Sequence, residues 1–427
     1  MNRVRIGLIG LGNIGSGVYE ILRGKQGILT KRAGVKLEVA YVCDQRTANK
    51  SKLGVPNRIF TRDAKAVLND PSVDIVVELI GGIKAARTLI LEAFRKKKQV
   101  VTANKALLAE CGPEIFRAAA KAGREIYFEA SVGGGIPIIK SLRESFVANQ
   151  ILSIHSIING TCNYILTRMS KDGLSFEEAL KQAQAKGYAE ADPTLDISGA
   201  DAAHKITILA MLAFGGLVPF SAVSTEGITG ITSDDISFAK EFGYAIKLLA
   251  IAKRTAGGIE ARVQPTLLPK SHILANVEDS FNAILLHGDE VGDSLLYGRG
   301  AGRHPTASAV TSDLVDIARL IVSGQHSAPL PVNRVLKVKN LSAIESRYYL
   351  RVTVLDQPGV LARISSVLAR QRISISDMIQ KERKAGKVVP LIFITHHAHE
   401  DRIRRALRQL NQLSVVKAKA QILRIED

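Results

Sequence analysis

Tryptophan is missing from this 427-residue chain, cysteine occurs three times, and aromatic residues make up only 5%. Cys43, Cys111 and Cys162 stand far apart, with no CxxC pair and no Cys/His spacing suited to zinc, which excludes a disulfide framework and a structural zinc site. Long apolar runs are lacking as well. The longest, Ile206 to Pro219, has 14 residues and is interrupted by a threonine and two glycines. A bilayer-spanning helix needs about 20. The amino terminus, MNRVRIGLIG, enters a strand pattern directly, without the basic, apolar and small-residue order of a signal peptide. The expectation is a soluble, cytoplasmic protein without a membrane partner.

Acidic residues are short relative to basic ones, 40 against 58, and the net charge is +18. The excess sits at the two ends, with eleven Lys/Arg against three Asp/Glu in residues 1–60 and sixteen against eight in 340–427. No basic stripe is interleaved with aromatics and no recognition-helix motif occurs, so nucleic acid is not expected as a partner. The N-terminal excess suits either an anionic dinucleotide or a solvated surface. With 46% hydrophobic and 23% charged residues, a chain of this length should form two to four domains with substantial cores.

The strand-like run Arg3 to Ile9 ends in Gly10-Leu-Gly12-Asn13-Ile14-Gly15, and a helical pattern runs from Asn13 through Leu22. Strand, tight glycine turn and helix are what a pyrophosphate needs, because glycines let the backbone approach it at a helix amino end. A second strand, Lys36 to Val42, ends at Asp44, and Gly24 to Gly34 reads as an inserted loop. Further strands at Asp74 to Ile80 and Gln99 to Thr102 alternate with helical stretches, which predicts a doubly wound parallel sheet of Rossmann type. A carboxylate at Asp44 suits the ribose hydroxyls of NAD, whereas Arg46, Lys50 and Lys52 suit the extra phosphate of NADP or a solvated face; both cofactors stay open.

Beyond a strand at Glu125 to Phe128, Glu129-Ala-Ser-Val132-Gly-Gly134-Gly-Ile136-Pro is a glycine cluster, either a turn or a backbone whose carbonyls face a cation or ligand. Ser153 to Ile158 reads as a strand running into Asn159-Gly-Thr161-Cys162-Asn163 and a helix, Tyr164 to Met169, which Thr161 and Asn163 either cap or use to orient a substrate. The segment Gly187 to Lys205 carries Tyr188, Glu190, Asp192, Asp196, Asp201, His204 and Lys205. Asp201 and Lys205, at i and i+4, share a helix face, and the apolar stretch after them predicts burial. A partly buried Asp–Lys pair is a proton-transfer device; an exposed one is only a salt bridge.

These blocks, with Val77 to Gly82, Thr102-Ala-Asn-Lys105-Ala-Leu-Leu and Arg299 to Ser308, stand in an order that resembles homoserine dehydrogenase across most of residues 1–320. The resemblance implies an NAD(P)-binding Rossmann domain over 1–140, completed by 301–340, and an α+β substrate-binding and dimerisation domain over 141–300. It implies NAD(P)H-dependent reduction of L-aspartate 4-semialdehyde to L-homoserine in threonine, methionine and isoleucine biosynthesis, by a homodimer or homotetramer. Lys105 and Lys205 match the family's substrate- and proton-handling lysines, with Lys105 also at the cofactor, and Asp201 positions Lys205. Glu190, aided by Asp192 and Asp196, resembles the group that holds the substrate ammonium, with Tyr188 and Thr161 in the same pocket. Glu129 with the carbonyls of Val132, Gly134 and Ile136 resembles a monovalent cation site, commonly sodium.

Aspartate semialdehyde dehydrogenase would act on the same compound, but by thiolate attack. Cys162 is the candidate nucleophile, and its small-residue setting reads as packing instead. His204 and His304 read as structural or surface residues. A connector containing Pro329 and Pro331 precedes a final unit over 345–427. There Tyr348 to Val354, a helix ending near Arg372, Ile373 to Gln380, Val388 to Thr395, a helix Glu400 to Gln412 and Ser414 to Leu423 give the βαββαβ order of a ferredoxin-like split. With its Asp356-Gln-Pro358-Gly-Val-Leu361 turn this unit is similar to the ACT domain, which implies an amino-acid effector, threonine, or else a role in dimerisation only. A sensor that has lost catalysis is a further reading, and Lys105 and Lys205 speak against it.

Overall fold

The computed structural model describes residues 3–327, 330, 333–380 and 387–426. The connector prolines Pro329 and Pro331 lie outside the described residues. Two compact units form, one from residues 1–154, 201–221 and 282–336, the other from 155–200, 222–281 and 337–427.

In the first unit, β1 (Arg3–Ile9), α1 (Asn13–Gly24), α2 (Gln26–Ala33), β2 (Lys36–Cys43), α3 (Ala48–Leu53), β3 (Phe60–Thr61), α4 (Ala64–Asn69), β4 (Ile75–Glu78), α5 (Lys84–Arg95), β5 (Gln99–Thr102), α6 (Lys105–Ala122) and β6 (Ile126–Tyr127) follow in order. The strands make a parallel sheet in the order β3-β2-β1-β4-β5-β6. Because both faces of the sheet are covered, β4 and β5 are buried at every residue, including the polar Glu78, Gln99 and Thr102. On α1, Ile14, Val18 and Leu22 recur every four residues, and Val18 and Leu22 join Ile6, Leu8, Val42, Ile75 and Val101 in the core. The helix Arg303–Ser323 returns to this core through Ala307, Val310, Leu314 and Ile317. It crosses α1 so tightly that a methyl at Gly17 would stand 2.9 Å from the Ala307 side chain.

One expectation fails here: Gly24 to Gly34 is not a loop, since Gly24 ends α1 and Gln26–Ala33 is the helix α2, which buries Leu29 and Ala33. Its three glycines misread as breakers. Only Gly34 acts as one, closing α2 in the left-handed region at φ 71°.

In the second unit, Tyr244–Thr255 and Gly258–Pro269 form a long antiparallel hairpin. The C-terminal unit has its strands in the order Gln421–Ile425, Glu345–Leu355, Val388–Thr395, Ile375–Gln380, all antiparallel, with helices Val360–Arg370 and Glu400–Leu410. Gln421–Ile425 also runs parallel to the hairpin at Thr266 and Leu267, so the two sheets of this unit join. The last strand was expected over Ser414 to Leu423 and instead begins at Gln421. The Asn411 side chain accepts the Ala420 N–H at 2.8 Å and turns the chain there. Among the described residues no helix is long and apolar enough to cross a membrane.

Candidate active site

The glycine turn is built as a cradle. Gly10 has φ 102°, where a side chain would also stand 2.5 Å from the Leu79 carbonyl oxygen, and a methyl on Gly15 would meet the Gly10 carbonyl oxygen at 1.9 Å. A methyl on Gly12, by contrast, would meet nothing within 4 Å among the described residues, leaving open space above the backbone at the start of α1. Asn13 is exposed and Ile14 half-buried at the same helix start. Asp44 turns its carboxylate to the turn itself: one oxygen accepts the Leu11 N–H at 2.6 Å, the other the Arg46 N–H at 2.8 Å. Arg46 and Lys52 are exposed, while Lys50 donates to Asn57 at 2.6 Å and lies over the Phe60 ring.

At the carboxyl ends of β4 and β5 the structure shows a residue whose role the sequence reading missed. Glu78 is fully buried, accepts Thr102 Oγ1 at 2.7 Å and the Ile80 N–H at 2.9 Å, and burial pushes its carboxyl up. Asn104 Nδ2 donates to the Gly82 carbonyl at 2.6 Å, and its Oδ1 caps α6 by accepting the Leu107 N–H. A single acid ending an apolar strand inside a parallel sheet was the available signal.

That capped helix begins with Lys105. Its Nζ lies 2.9 Å from Asp201 Oδ1, and Lys205 Nζ donates to Asp201 Oδ2 at 2.6 Å. One carboxylate thus spans two ammonium groups. Asp201 and Lys205 lie on the helix Ala200–Phe214, whose residues are nearly all buried, with side-chain exposures of 8% and 10%, while Lys105 remains 42% exposed. Burial alone would raise the Asp201 carboxyl, but the lysines overcome it and hold it well below the usual carboxylate range. His204 is buried, stacks on Phe220 and meets Glu110 of α6 at 3.1 Å. His304 is exposed.

Glu129 and Asp313 form a second acidic site of the same unit. The Glu129 carboxylate accepts the N–H groups of Ile139 and Lys140 at 2.9 and 2.8 Å, and its own N–H donates to Asp313 Oδ2 at 2.9 Å. Burial pushes Glu129 up to about 7 and Asp313 well above its ordinary value. In the adjoining loop the side chains of Val132 and Ile136 are buried, Gly133 and Gly134 have φ 74° and 55°, and the Gly135 N–H binds the Arg299 carbonyl at 3.0 Å.

In the second unit, Asp196 is a hub. It accepts Asn159 Nδ2 at 2.7 Å and Thr161 Oγ1 at 3.0 Å, and Thr161 Oγ1 also lies 2.7 Å from the Tyr188 carbonyl. The cap of the helix Gly160–Asp172 is Asn159, accepting the Cys162 N–H at 2.8 Å; neither Thr161 nor Asn163 caps it. Asn163 Nδ2 instead bonds the carbonyls of Val277, Asp279 and Phe281. Cys162 is buried and its thiol donates to the Asp196 carbonyl at 3.1 Å. Glu190 and Tyr188 are exposed, and Asp192 accepts the Thr194 hydroxyl and N–H. In the C-terminal unit the turn Asp356 to Gly359 lines a cavity of about 310 Å³ with Gln380 and Leu391.

A dinucleotide turn in a parallel sheet, together with a lysine–aspartate–lysine array on α6 and its partner helix, defines an NAD(P)-dependent oxidoreductase. Residues 10–129 match the homoserine dehydrogenase NAD-binding domain, 137–315 the homoserine dehydrogenase family proper, and 348–415 the ACT domain. The chain belongs to the homoserine dehydrogenase family and carries a C-terminal ACT domain. It is 44% identical to the homoserine dehydrogenase of Neisseria gonorrhoeae, covering 100% of this chain and 99% of that one, and 40% identical, with the same coverage, to that of Bacillus subtilis. The crystal structure of a homoserine dehydrogenase from Thiobacillus denitrificans is similar with a TM-score of 0.94 at 44% identity, over 100% of this chain and 99% of that one. A hyperthermophilic archaeal homoserine dehydrogenase mutant in complex with NADPH matches over 74% of this chain and 97% of that one, at 26% identity and a TM-score of 0.62.

Proposed function

We propose that the chain reduces L-aspartate 4-semialdehyde to L-homoserine with Lys205 as proton donor, Lys105 as second ammonium at the substrate and cofactor, and Asp201 holding both. The observation that carries this reading is the buried Asp201 carboxylate spanning two lysines. When bound, the nicotinamide supplies the hydride that adds to the aldehyde carbon. The chain's own part is to place an N–H at the carbonyl oxygen, pass it a proton as the alkoxide develops, and keep charge balanced while the lysine is neutral. Asp196, Glu190 and Asp192 are assigned to the substrate ammonium, and Thr161 and Tyr188 to the wall that orients it.

Gly10, Gly12, Asn13, Ile14 and Gly15 are assigned to the pyrophosphate, which the open space at Gly12 fits. NADP is the preferred cofactor in this reading, because both Asp44 oxygens already accept backbone N–H groups while the Arg46 guanidinium is exposed just beyond. A monovalent cation, sodium, fits the main-chain oxygens of Glu129, Val132, Gly134 and Ile136, since the Glu129 carboxylate already serves two N–H groups. Threonine is assigned to the ACT cavity, whose size suits one amino acid. The setting is a cytoplasmic enzyme of threonine, methionine and isoleucine biosynthesis, a homodimer or homotetramer.

Steady-state oxidation of NADPH and of NADH on adding aspartate semialdehyde, each with and without threonine, tests the set. Turnover that favours NADPH and falls with threonine is expected. A flat absorbance trace with both cofactors would contradict the catalytic assignment, and indifference to millimolar threonine would remove the regulatory one.

A further inference from the structure

The lysine array depends on how two helices face each other, and an ion pair made by a long, half-exposed side chain fixes that loosely. Lys105 is 42% exposed on a long flexible stem, so its contact with Asp201 constrains the facing of α6 and the helix Ala200–Phe214 only weakly. A second contact between the same two helices is more rigid. His204, three residues along from Asp201, meets Glu110 of α6 with Nε2 at 3.1 Å from Oε1, about 4.5 Å further along the helix axis. The imidazole has only two side-chain rotations, and its ring is stacked on Phe220 at 4.6 Å between centroids and 22° between planes. The ring is thus held from two directions, by Glu110 and by Phe220.

We propose that the His204–Glu110 contact is a positioning device for the reaction: it sets α6 against the helix Ala200–Phe214 so that one carboxylate spans both lysines. The inference rests on the assignment of Lys105, Asp201 and Lys205 given above. The charged groups around His204 are Glu110 and Lys105 from α6 and Asp201 from its own helix. Burial lowers the pKa of His204 against the pull of Glu110, which favours a neutral ring donating its Nε2 hydrogen to the carboxylate.

The test compares His204→Ala, His204→Gln, Glu110→Ala, the double alanine variant and Asp201→Asn in homoserine oxidation, with melting temperatures alongside. His204→Ala and Glu110→Ala should each lower kcat about tenfold with KM for homoserine changed less than about twofold, and the double variant should be no worse than either single one. Glutamine at 204 retains a donor near the same place and should recover kcat to within about threefold of the parent. Should His204→Ala misfold, Glu110→Ala and His204→Gln still carry the comparison. Parental kcat in the alanine variants while Asp201→Asn is impaired would overturn the positioning role. Parental kcat in Asp201→Asn would instead overturn the assignment beneath it.

Discussion

Asp201 and Glu129 are both buried carboxylates of the dinucleotide-binding unit, yet they are held in opposite charge tendencies. Asp201 has two ammonium partners and stays ionised well below the usual range. Glu129 receives two backbone N–H groups and the weaker pull of the Lys140 charge beside Asp313, and burial brings it up to about 7. What decides the charge of a buried acid is the charge of its partners more than its depth. The first arrangement suits chemistry, since a fixed anion keeps two ammonium groups side by side. The second suits architecture, since a carboxyl that ties the Glu129 turn to the Ile138–Lys140 turn sets the glycine loop.

The largest effect should come from removing the charge at the first site. Asp201→Asn should lower kcat at least about a hundredfold while the fold persists, because both lysines lose the anion that places them. Activity within a few-fold of the parent would erase the distinction between the two acids. A smaller effect concerns stability against pH, and here the two sites have opposite signs. The folded state holds the Glu129 proton to about 7 while the unfolded chain releases it near 4.5, so stability falls as pH rises through that window, by about 3 kcal/mol at most. Asp201, whose pKa is depressed, contributes stability above the ordinary carboxylate range that is lost as pH falls below it. Urea unfolding at pH 5 and pH 8 should therefore show Glu129→Gln with the flatter dependence; equal slopes for parent and variant would contradict the assignment to Glu129. The smallest effect is expected at Cys162, where serine can make the same bond to the Asp196 carbonyl. Cys162→Ser should keep kcat within about threefold, and abolished activity would revive thiolate chemistry.

The sequence is legible wherever its information is local. β1 and β5 fall at Arg3–Ile9 and Gln99–Thr102, where they were expected, because an apolar run bounded by glycine or polar residues has few other structures open to it. The helix Ala200–Phe214 is buried as its composition demands, and it brings Asp201 to Lys205. Partners distant in sequence were not legible from spacing. That Asp201 also meets Lys105, that His204 meets Glu110, and that Asp44 turns to the Leu11 N–H depend on how elements pack. Asn159 rather than Thr161 caps its helix because the turn places its oxygen at the Cys162 N–H, a choice among three polar residues that composition cannot make. The helix α2 was hidden by glycines at 24, 27 and 34 although only the last breaks it.

The central claim is that Lys205, held by Asp201, gives the proton. Single-turnover oxidation of bound NADPH by aspartate semialdehyde in the Lys205→Met variant tests it most directly, with cofactor affinity measured by fluorescence in the same samples. The account predicts a fall of about a thousandfold in the hydride-transfer rate with NADPH affinity unchanged. A rate within about threefold of the parent would contradict it.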